Sequence, residues 1–141
     1  WPLMARSVFY WLGDNAKIYL IGNPLLWWAS TLSLILFIPF FFIKKLWRDS
    51  TALILAGGYL ASYLPFALIG RVMFLYHYFT PLIFAIMLMA YLVSKSRYAA
   101  WIFISLSFVF LVSFLYFAPL TYGSAQTDAQ FENRMWFESW R

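Results

Sequence analysis

Hydrophobic residues occur along this chain in four long, nearly uninterrupted runs that are separated by short polar connectors. The runs cover residues 24–43, 51–69, 72–93 and 98–118. A helix needs about 20 residues, at about 1.5 Å each, to cross the hydrocarbon core of a bilayer. Because the runs are continuous rather than alternating, they predict helices and not the strands of a barrel. The expected fold is therefore all-α, a polytopic membrane protein with four transmembrane helices.

Local signals mark some of the helix ends. Asn23 is a good N-cap residue, and Pro24 suits the first helical position, where its missing N–H costs nothing. Pro119 is expected to end the fourth helix, because proline cannot easily continue one. Pro81 removes a hydrogen bond from the carbonyl of His77, so we expect the third helix to kink near that residue.

The two terminal segments, residues 1–23 and 119–141, are not predicted to span the membrane. Both mix charged residues with Trp, Tyr and Phe, a combination typical of the membrane–water interface. We expect both to be interfacial segments on the same side of the bilayer. The chain begins with Trp1 and has no signal-peptide pattern, so we also expect it to be part of a longer protein.

The composition excludes a soluble protein. Hydrophobic residues make up 65% of the chain, aromatic residues 24% and charged residues 11%, whereas soluble domains carry roughly 25% charged residues. The net charge of +5 does not indicate nucleic-acid binding, because half of the Lys and Arg residues lie in connectors 44–50 and 94–97. The positive-inside rule places these connectors in the cytoplasm and both chain ends on the external or lumenal side. The chain has no cysteine and one histidine, so no metal site or cofactor is expected.

The junction of the second and third runs carries the most suggestive polar residues. Ionisable groups beside hydrocarbon are costly and are functional candidates by default. At helical spacing Arg71 and Tyr78 share one stripe, whereas His77 faces a neighbouring helix. Arg71 has two interpretations: an anchor that reaches the headgroups, or a clamp that binds phosphate oxygens in a bidentate way. The runs contain no carboxylate, so no catalytic residue is expected in this chain.

Five motifs, in order, resemble one known family. They are Trp-Pro-Leu with a later Arg and Phe-Tyr-Trp within residues 1–11, Gly-Asn-Pro followed by two Trp within residues 18–28, Tyr-Leu-Pro-Phe with a later Gly-Arg and Phe-Leu-Tyr-His-Tyr within 63–78, Pro-Leu-Thr-Tyr-Gly at 119–123, and the Trp-rich tail 136–140. Their order and spacing resemble the C-terminal four-transmembrane region of protein O-mannosyltransferases. Tyr76 stands where many members of that family have a first histidine.

The resemblance implies an enzyme that transfers mannose from a polyprenyl-phosphate carrier to Ser or Thr of secreted proteins. It implies a bacterial or archaeal cell membrane, or the endoplasmic reticulum membrane. The family's catalytic acid lies far upstream, so this chain alone is expected to be inactive. Arg71, Tyr78, His77 and Asn23 become candidates for binding the lipid phosphate, and the helices become part of the carrier groove. The implied partners are the lipid donor, the acceptor protein and the bilayer.

Two other functions stay open at this point. The first is a glycosyltransferase of similar architecture that moves another lipid-linked sugar. The second is a small non-enzymatic membrane protein that assembles through its second helix, where small residues recur at i, i+4 spacing: Ala52 and Ala56, Gly57 and Ala61, Gly58 and Ser62. Such spacing allows close helix packing, either within one bundle or across a dimer.

Overall fold

The structure, a computed structural model, describes residues 2–13, 16–70 and 74–140. These residues include four helical segments long and apolar enough to cross a membrane. The α-helices of these segments are Pro24–Ile43 (α1), Ser50–Ala67 (α2), Phe79–Ser94 (α3) and Ala99–Tyr122 (α4). The third segment also includes a 3-10 turn, Leu75–Tyr78, that leads directly into α3. The predicted all-α, polytopic membrane fold is confirmed.

The third helix begins later than the sequence predicts. The α-helical conformation starts at Phe79, so Pro81 lies in the first turn of α3. Backbone N–H groups in a first turn have no intrahelical partner, so a proline there removes no hydrogen bond. The kink expected near His77 is therefore replaced by the start of a helix. The first two residues of the predicted run, at 72 and 73, lie outside the described residues.

The expectation that Pro119 ends the fourth helix is wrong. Helix α4 continues through Pro119 to Tyr122 and ends at Gly123, which adopts a left-handed conformation with φ of 64°. A proline removes only one backbone hydrogen bond, and tertiary packing can outweigh that loss. Here Phe117 and Leu120, on either side of the proline, are both buried. Their packing holds the last turn in place.

A β-hairpin precedes α1, within the segment predicted only to be interfacial. Strands Val8–Leu12 (β1) and Lys17–Leu20 (β2) pair antiparallel, with Val8 opposite Leu20 and Leu12 opposite Lys17. The pairing is irregular between Phe9 and Trp11. Aromatic and β-branched residues favour strands, and Gly-Asp-Asn at positions 13–15 favours a turn. These local signals are typical of a hairpin, whereas the mix of charged and aromatic residues indicates only an interfacial segment.

The two terminal segments meet at one end of the bundle. The Trp140 indole N–H donates a 2.7 Å hydrogen bond to the Met4 carbonyl. The Ser139 and Ser7 hydroxyls donate 2.5 Å bonds to the carbonyls of Ala5 and Trp140 respectively. A short helix, Asp128–Arg134 (α5), precedes this tail and begins with a capping box. We call the hairpin, α5 and their flanking segments (residues 2–13, 16–22 and 124–140) the cap.

The helices pack in an unequal bundle. Helix α3 lies against both α1 and α2, and α4 makes looser contact with α1 and α3. One buried cluster joins the bundle to the cap and includes Trp27, Tyr78, Leu120 and Trp140. A second cluster, around Phe37, Leu46, Ala52, Leu55 and Leu88, closes the opposite end. The cap therefore continues the core of the bundle.

Candidate functional site at the cap end of the bundle

Tyr78 lies at the centre of the cap end. Its side chain is fully buried at the junction of the 3-10 turn and α3. Its hydroxyl lies 3.2 Å from the hydroxyl of Tyr59 on α2 and also interacts with that of Thr31 on α1. The rings of Trp27 and Tyr63 lie 5.6 and 6.0 Å from the Tyr78 ring. Tyr78 thus joins three helices through one phenol.

Tyr59, Tyr63 and Thr31 are polar residues of this site that sequence reasoning missed. Tyr59 and Tyr63 stack at 5.5 Å, one helical turn apart on α2. The Thr31 hydroxyl donates a 2.7 Å hydrogen bond to the carbonyl of Pro2 in the cap. The spacing of the two tyrosines was visible in the sequence, but their partner on another helix was not. A line of hydroxyl groups therefore runs from α2 through Tyr78 to the cap.

Asn23 fixes the start of α1 and also ties it to α4. Its side-chain oxygen accepts a 3.2 Å hydrogen bond from the Leu26 backbone N–H, the N-cap interaction that the sequence predicts. Its amide nitrogen donates a 2.8 Å bond to the Phe110 carbonyl. Both ends of the amide therefore form hydrogen bonds within the chain, and they hold the start of α1 against α4.

His77 lies at the side of the site, toward α2. Its ring contacts that of Phe66, with centroids 5.5 Å apart, and stacks on Tyr76 at 4.3 Å. Its Nδ1 donates a 3.2 Å hydrogen bond to the Phe74 carbonyl. With Nδ1 protonated, Nε2 can accept a proton or, in the imidazolium, donate a hydrogen bond. Nδ1 thus fixes the orientation of the His77 ring, and Nε2 is the nitrogen that can contact a ligand.

The structure brings together only part of the predicted phosphate site. Tyr78 and His77 are sequence neighbours that point to different surroundings, the bundle interior and the side of α2. Asn23 is engaged with α4. Arg71, the fourth predicted residue, lies outside the described residues. The described part of the chain contains no group of three His, Cys, Asp or Glu residues arranged to hold a metal ion.

An apolar groove of about 530 Å³ runs between α1 and α2. One wall is lined by Phe37, Ile38 and Phe41, and the other by Leu53 and Leu60. Gly57, which has no side chain, leaves space between the walls. Tyr59 also lines the groove, and its hydroxyl meets Tyr78. The groove is therefore apolar along the bundle and leads to the hydroxyl line at the cap end.

The family described as the C-terminal four-transmembrane region of protein O-mannosyltransferase matches residues 1–140. The chain belongs to this family. The resemblance of its motifs is thereby confirmed over essentially the whole chain.

Individual proteins similar to this O-mannosyltransferase region support the family assignment. Dolichyl-phosphate-mannose–protein mannosyltransferase 1 of Candida albicans is 32% identical over 167 residues, covering 99% of this chain and 19% of the relative. Protein O-mannosyl-transferase 1 of Danio rerio is 30% identical, covering 99% of this chain and 24% of the relative. The chain thus spans about a fifth to a quarter of the length of these relatives.

A solved structure shows the same fold for this O-mannosyltransferase region. The chain resembles part of the Saccharomyces cerevisiae Pmt1-Pmt2 complex bound to the sugar donor, with a TM-score of 0.85 and 24% identity. The likeness covers 100% of this chain and 23% of that one. The four-helix arrangement and its cap are therefore a fold already seen within a larger membrane protein.

Proposed function

We propose that this region is the C-terminal membrane part of an enzyme that transfers mannose from a polyprenyl-phosphate carrier to Ser or Thr of secreted proteins. The observation that carries the proposal is the family match over residues 1–140. The relatives named above are mannosyltransferases, and the Candida albicans relative uses dolichyl-phosphate-mannose by name. Because the chain spans about a fifth of that relative, the activity belongs to the full-length polypeptide.

The groove between α1 and α2 is our candidate for holding the carrier's isoprenoid chain. Its walls are aliphatic and aromatic side chains, which suit a branched hydrocarbon. At Gly57 an added Cβ would meet no atom within 4 Å, so the groove is open there. Tyr59, which lines it, leads toward the cap end, where we place the phosphate.

Arg71 and His77 are our candidates for contacting that phosphate. Guanidinium binds phosphate oxygens in a bidentate way, and the Nε2 of a protonated His77 ring donates a hydrogen bond. Asn23 and Tyr78 act in this proposal as positioning residues, because their polar atoms bond within the chain. They hold α1 and the start of α3 in the arrangement that the phosphate contacts require.

The reaction follows from these assignments. The acceptor hydroxyl attacks the anomeric carbon of mannose, a carboxylate elsewhere in the polypeptide takes the hydroxyl proton, and the lipid phosphate leaves with the bonding electrons. Cationic groups stabilise the charge that develops on that phosphate. We place the cap on the external or lumenal side, where the acceptor is found, because the basic connectors lie at the other end.

The test is mannose transfer by membranes that carry the full-length protein, with polyprenyl-phosphate-mannose as donor and a Ser/Thr peptide as acceptor. Loss of one group that stabilises a transition-state charge typically lowers kcat by about 100-fold or more. We expect Arg71→Ala to show a fall of that order and Arg71→Lys a smaller one. Arg6→Ala, a change to an exposed cation of the cap, is the matched control.

Two results would count against parts of this proposal. If Arg71→Ala leaves transfer unchanged, Arg71 is a membrane anchor and not a phosphate clamp. If the wild-type protein transfers another sugar but not mannose, the enzyme is a related glycosyltransferase with a different donor. The family assignment and the role of Arg71 are thereby tested separately.

A further inference from the structure

The end of the bundle opposite the cap brings two connectors into contact. The Lys95 ammonium lies 3.3 Å from an Asp49 carboxylate oxygen, which also accepts a 2.7 Å hydrogen bond from the Tyr91 hydroxyl. The other Asp49 oxygen accepts the Ala52 N–H and caps α2. Asp49 therefore fastens the connector between α1 and α2 to the end of α3.

The connector between α1 and α2 is held in a defined conformation. Leu46 is buried beneath the bundle, and the Trp47 ring packs against Phe41 and Phe42 with centroids 6.0 and 6.5 Å apart. The Arg48 N–H donates to the Lys45 carbonyl at 3.1 Å. The cations of this connector are therefore displayed from a short, packed loop.

These two connectors form a strongly positive surface. Its five cations are all exposed, and we call them the basic-loop surface: Lys44, Lys45, Arg48, Lys95 and Arg97. Asp49 is the only acidic residue between positions 15 and 127 of the sequence. Its carboxylate is already engaged by Lys95 and Tyr91, so it leaves the other four cations uncompensated. Four cations on one surface attract anionic ligands.

Aromatic side chains place this surface at the level of lipid headgroups. Trp47, Tyr98 and Trp101 are 43%, 53% and 73% exposed. Trp and Tyr favour the interface because one end of each side chain is apolar and the other can hydrogen-bond. Directly above the connector, Phe42 and Ile43 at the end of α1 are 64% and 72% exposed. A ligand that binds the cations therefore also contacts exposed apolar side chains.

We propose that the basic-loop surface binds the headgroups of anionic glycerophospholipids. Their phosphates suit the guanidinium and ammonium donors, and their acyl chains suit the exposed apolar residues at the end of α1. A free phosphate ion offers only the first of these contacts. The site lies at the opposite end of the bundle from the cap-end residues and borders the groove at Phe42, and it does not depend on the proposed transfer reaction.

Lipid enrichment on the purified full-length protein tests the proposal. The protein is mixed in detergent with equal amounts of phosphatidylglycerol and phosphatidylcholine, and bound lipids are counted by native mass spectrometry. Each Lys or Arg beside an anionic membrane surface contributes about fivefold to binding, so two contribute roughly 30-fold. We expect Lys44→Gln/Arg48→Gln to lower phosphatidylglycerol enrichment at least about fivefold. In the wild type, enrichment falls as salt is raised, because exposed charges are screened.

Matched variants separate a site from net charge. Lys44→Arg/Arg48→Lys keeps both charges and should keep the enrichment. Arg6→Gln/Lys17→Gln removes two cations from the cap and should also keep it. An unchanged enrichment in Lys44→Gln/Arg48→Gln, or an equal loss in the cap variant, overturns the proposal. Displacement of the lipid by millimolar inorganic phosphate also overturns it, because the site would then select a free anion.

Discussion

Two adjacent glycines on α2 offer a sharp test of the bundle packing. At Gly58 an added Cβ would lie 2.3 Å from a ring carbon of Phe84 on α3, whereas at Gly57 it would meet nothing within 4 Å. Carbon atoms pack at about 3.5–4.0 Å, so Gly58→Ala requires the Phe84 ring to move by more than about 1 Å. Gly57→Ala requires no movement.

The expected difference can be worked out from these contacts. Both substitutions gain about 1 kcal/mol of helix propensity, so this gain cancels between them. Overpacking costs about 1–3 kcal/mol and applies to Gly58→Ala alone. We therefore expect Gly58→Ala to be less stable than Gly57→Ala by about 1–3 kcal/mol, and Gly57→Ala to match or exceed the wild type.

Thermal unfolding of the full-length protein in detergent provides the assay. The unfolding midpoint of Gly58→Ala should lie below that of Gly57→Ala, and Gly58→Ala/Phe84→Leu should recover part of the difference, because the smaller side chain makes room. If Gly58→Ala is as stable as Gly57→Ala, α2 does not pack against α3 as described. The same comparison shows which small residues of α2 serve intramolecular packing.

Three further predictions concern the cap, the basic connectors and the hydroxyl line. Trp140→Ala should destabilise the protein by about 3–5 kcal/mol, because the ring is fully buried. Trp140→Phe should destabilise the protein less, but the Met4 carbonyl loses its indole donor, so limited proteolysis should cut the cap near Met4 faster. Unchanged cleavage of the cap would contradict this packing. The pKa of Asp49 is lowered from 3.8 to about 2, chiefly by the Tyr91 hydroxyl, so its stabilising contribution is complete above about pH 4 and is lost as the pH falls from about 4 to 2. Acid-unfolding curves of Asp49→Asn should therefore lack that component, and curves identical to those of the wild type would contradict it. Tyr78→Phe removes the hydroxyl bonded to Tyr59 and should lower stability by about 1 kcal/mol; a neutral or stabilising effect in thermal unfolding would show that the hydroxyl line does not stabilise the bundle.

The helices were predictable because their signals are local. The length of a continuous apolar run predicts the length of its helix, and Asn23 with Pro24 defines the start of α1 from sequence alone. The end of α4 was mispredicted because the burial of Phe117 and Leu120, which sustains the helix through Pro119, depends on the cap. The late start of α3 was also mispredicted, because the apolar run continues on both sides of Pro81 and does not show that this proline lies in the first turn.

The candidate site was less predictable than the fold. A helical wheel separates His77 from Tyr78 but gives neither partner, because Tyr59 and Phe66 belong to another helix. The contact of Asn23 with Phe110 joins residues 87 positions apart, and no local pattern indicates it. The family motifs indicate the region from sequence alone, because their order and spacing do not depend on any of these contacts.

The measurement that tests the central claim most directly is the donor dependence of mannose transfer by the full-length protein with a filled groove. Gly57→Phe places a ring in the space between α1 and α2, whereas Gly57→Ala adds one methyl group and serves as the control. If the groove holds the carrier, Gly57→Phe raises the KM for long-chain polyprenyl-phosphate-mannose with little change in kcat, and has less effect with a short-chain donor. Equal kinetics in Gly57→Phe and Gly57→Ala with both donors would contradict the groove. Absence of any mannose transfer by the wild-type protein would contradict the proposed activity.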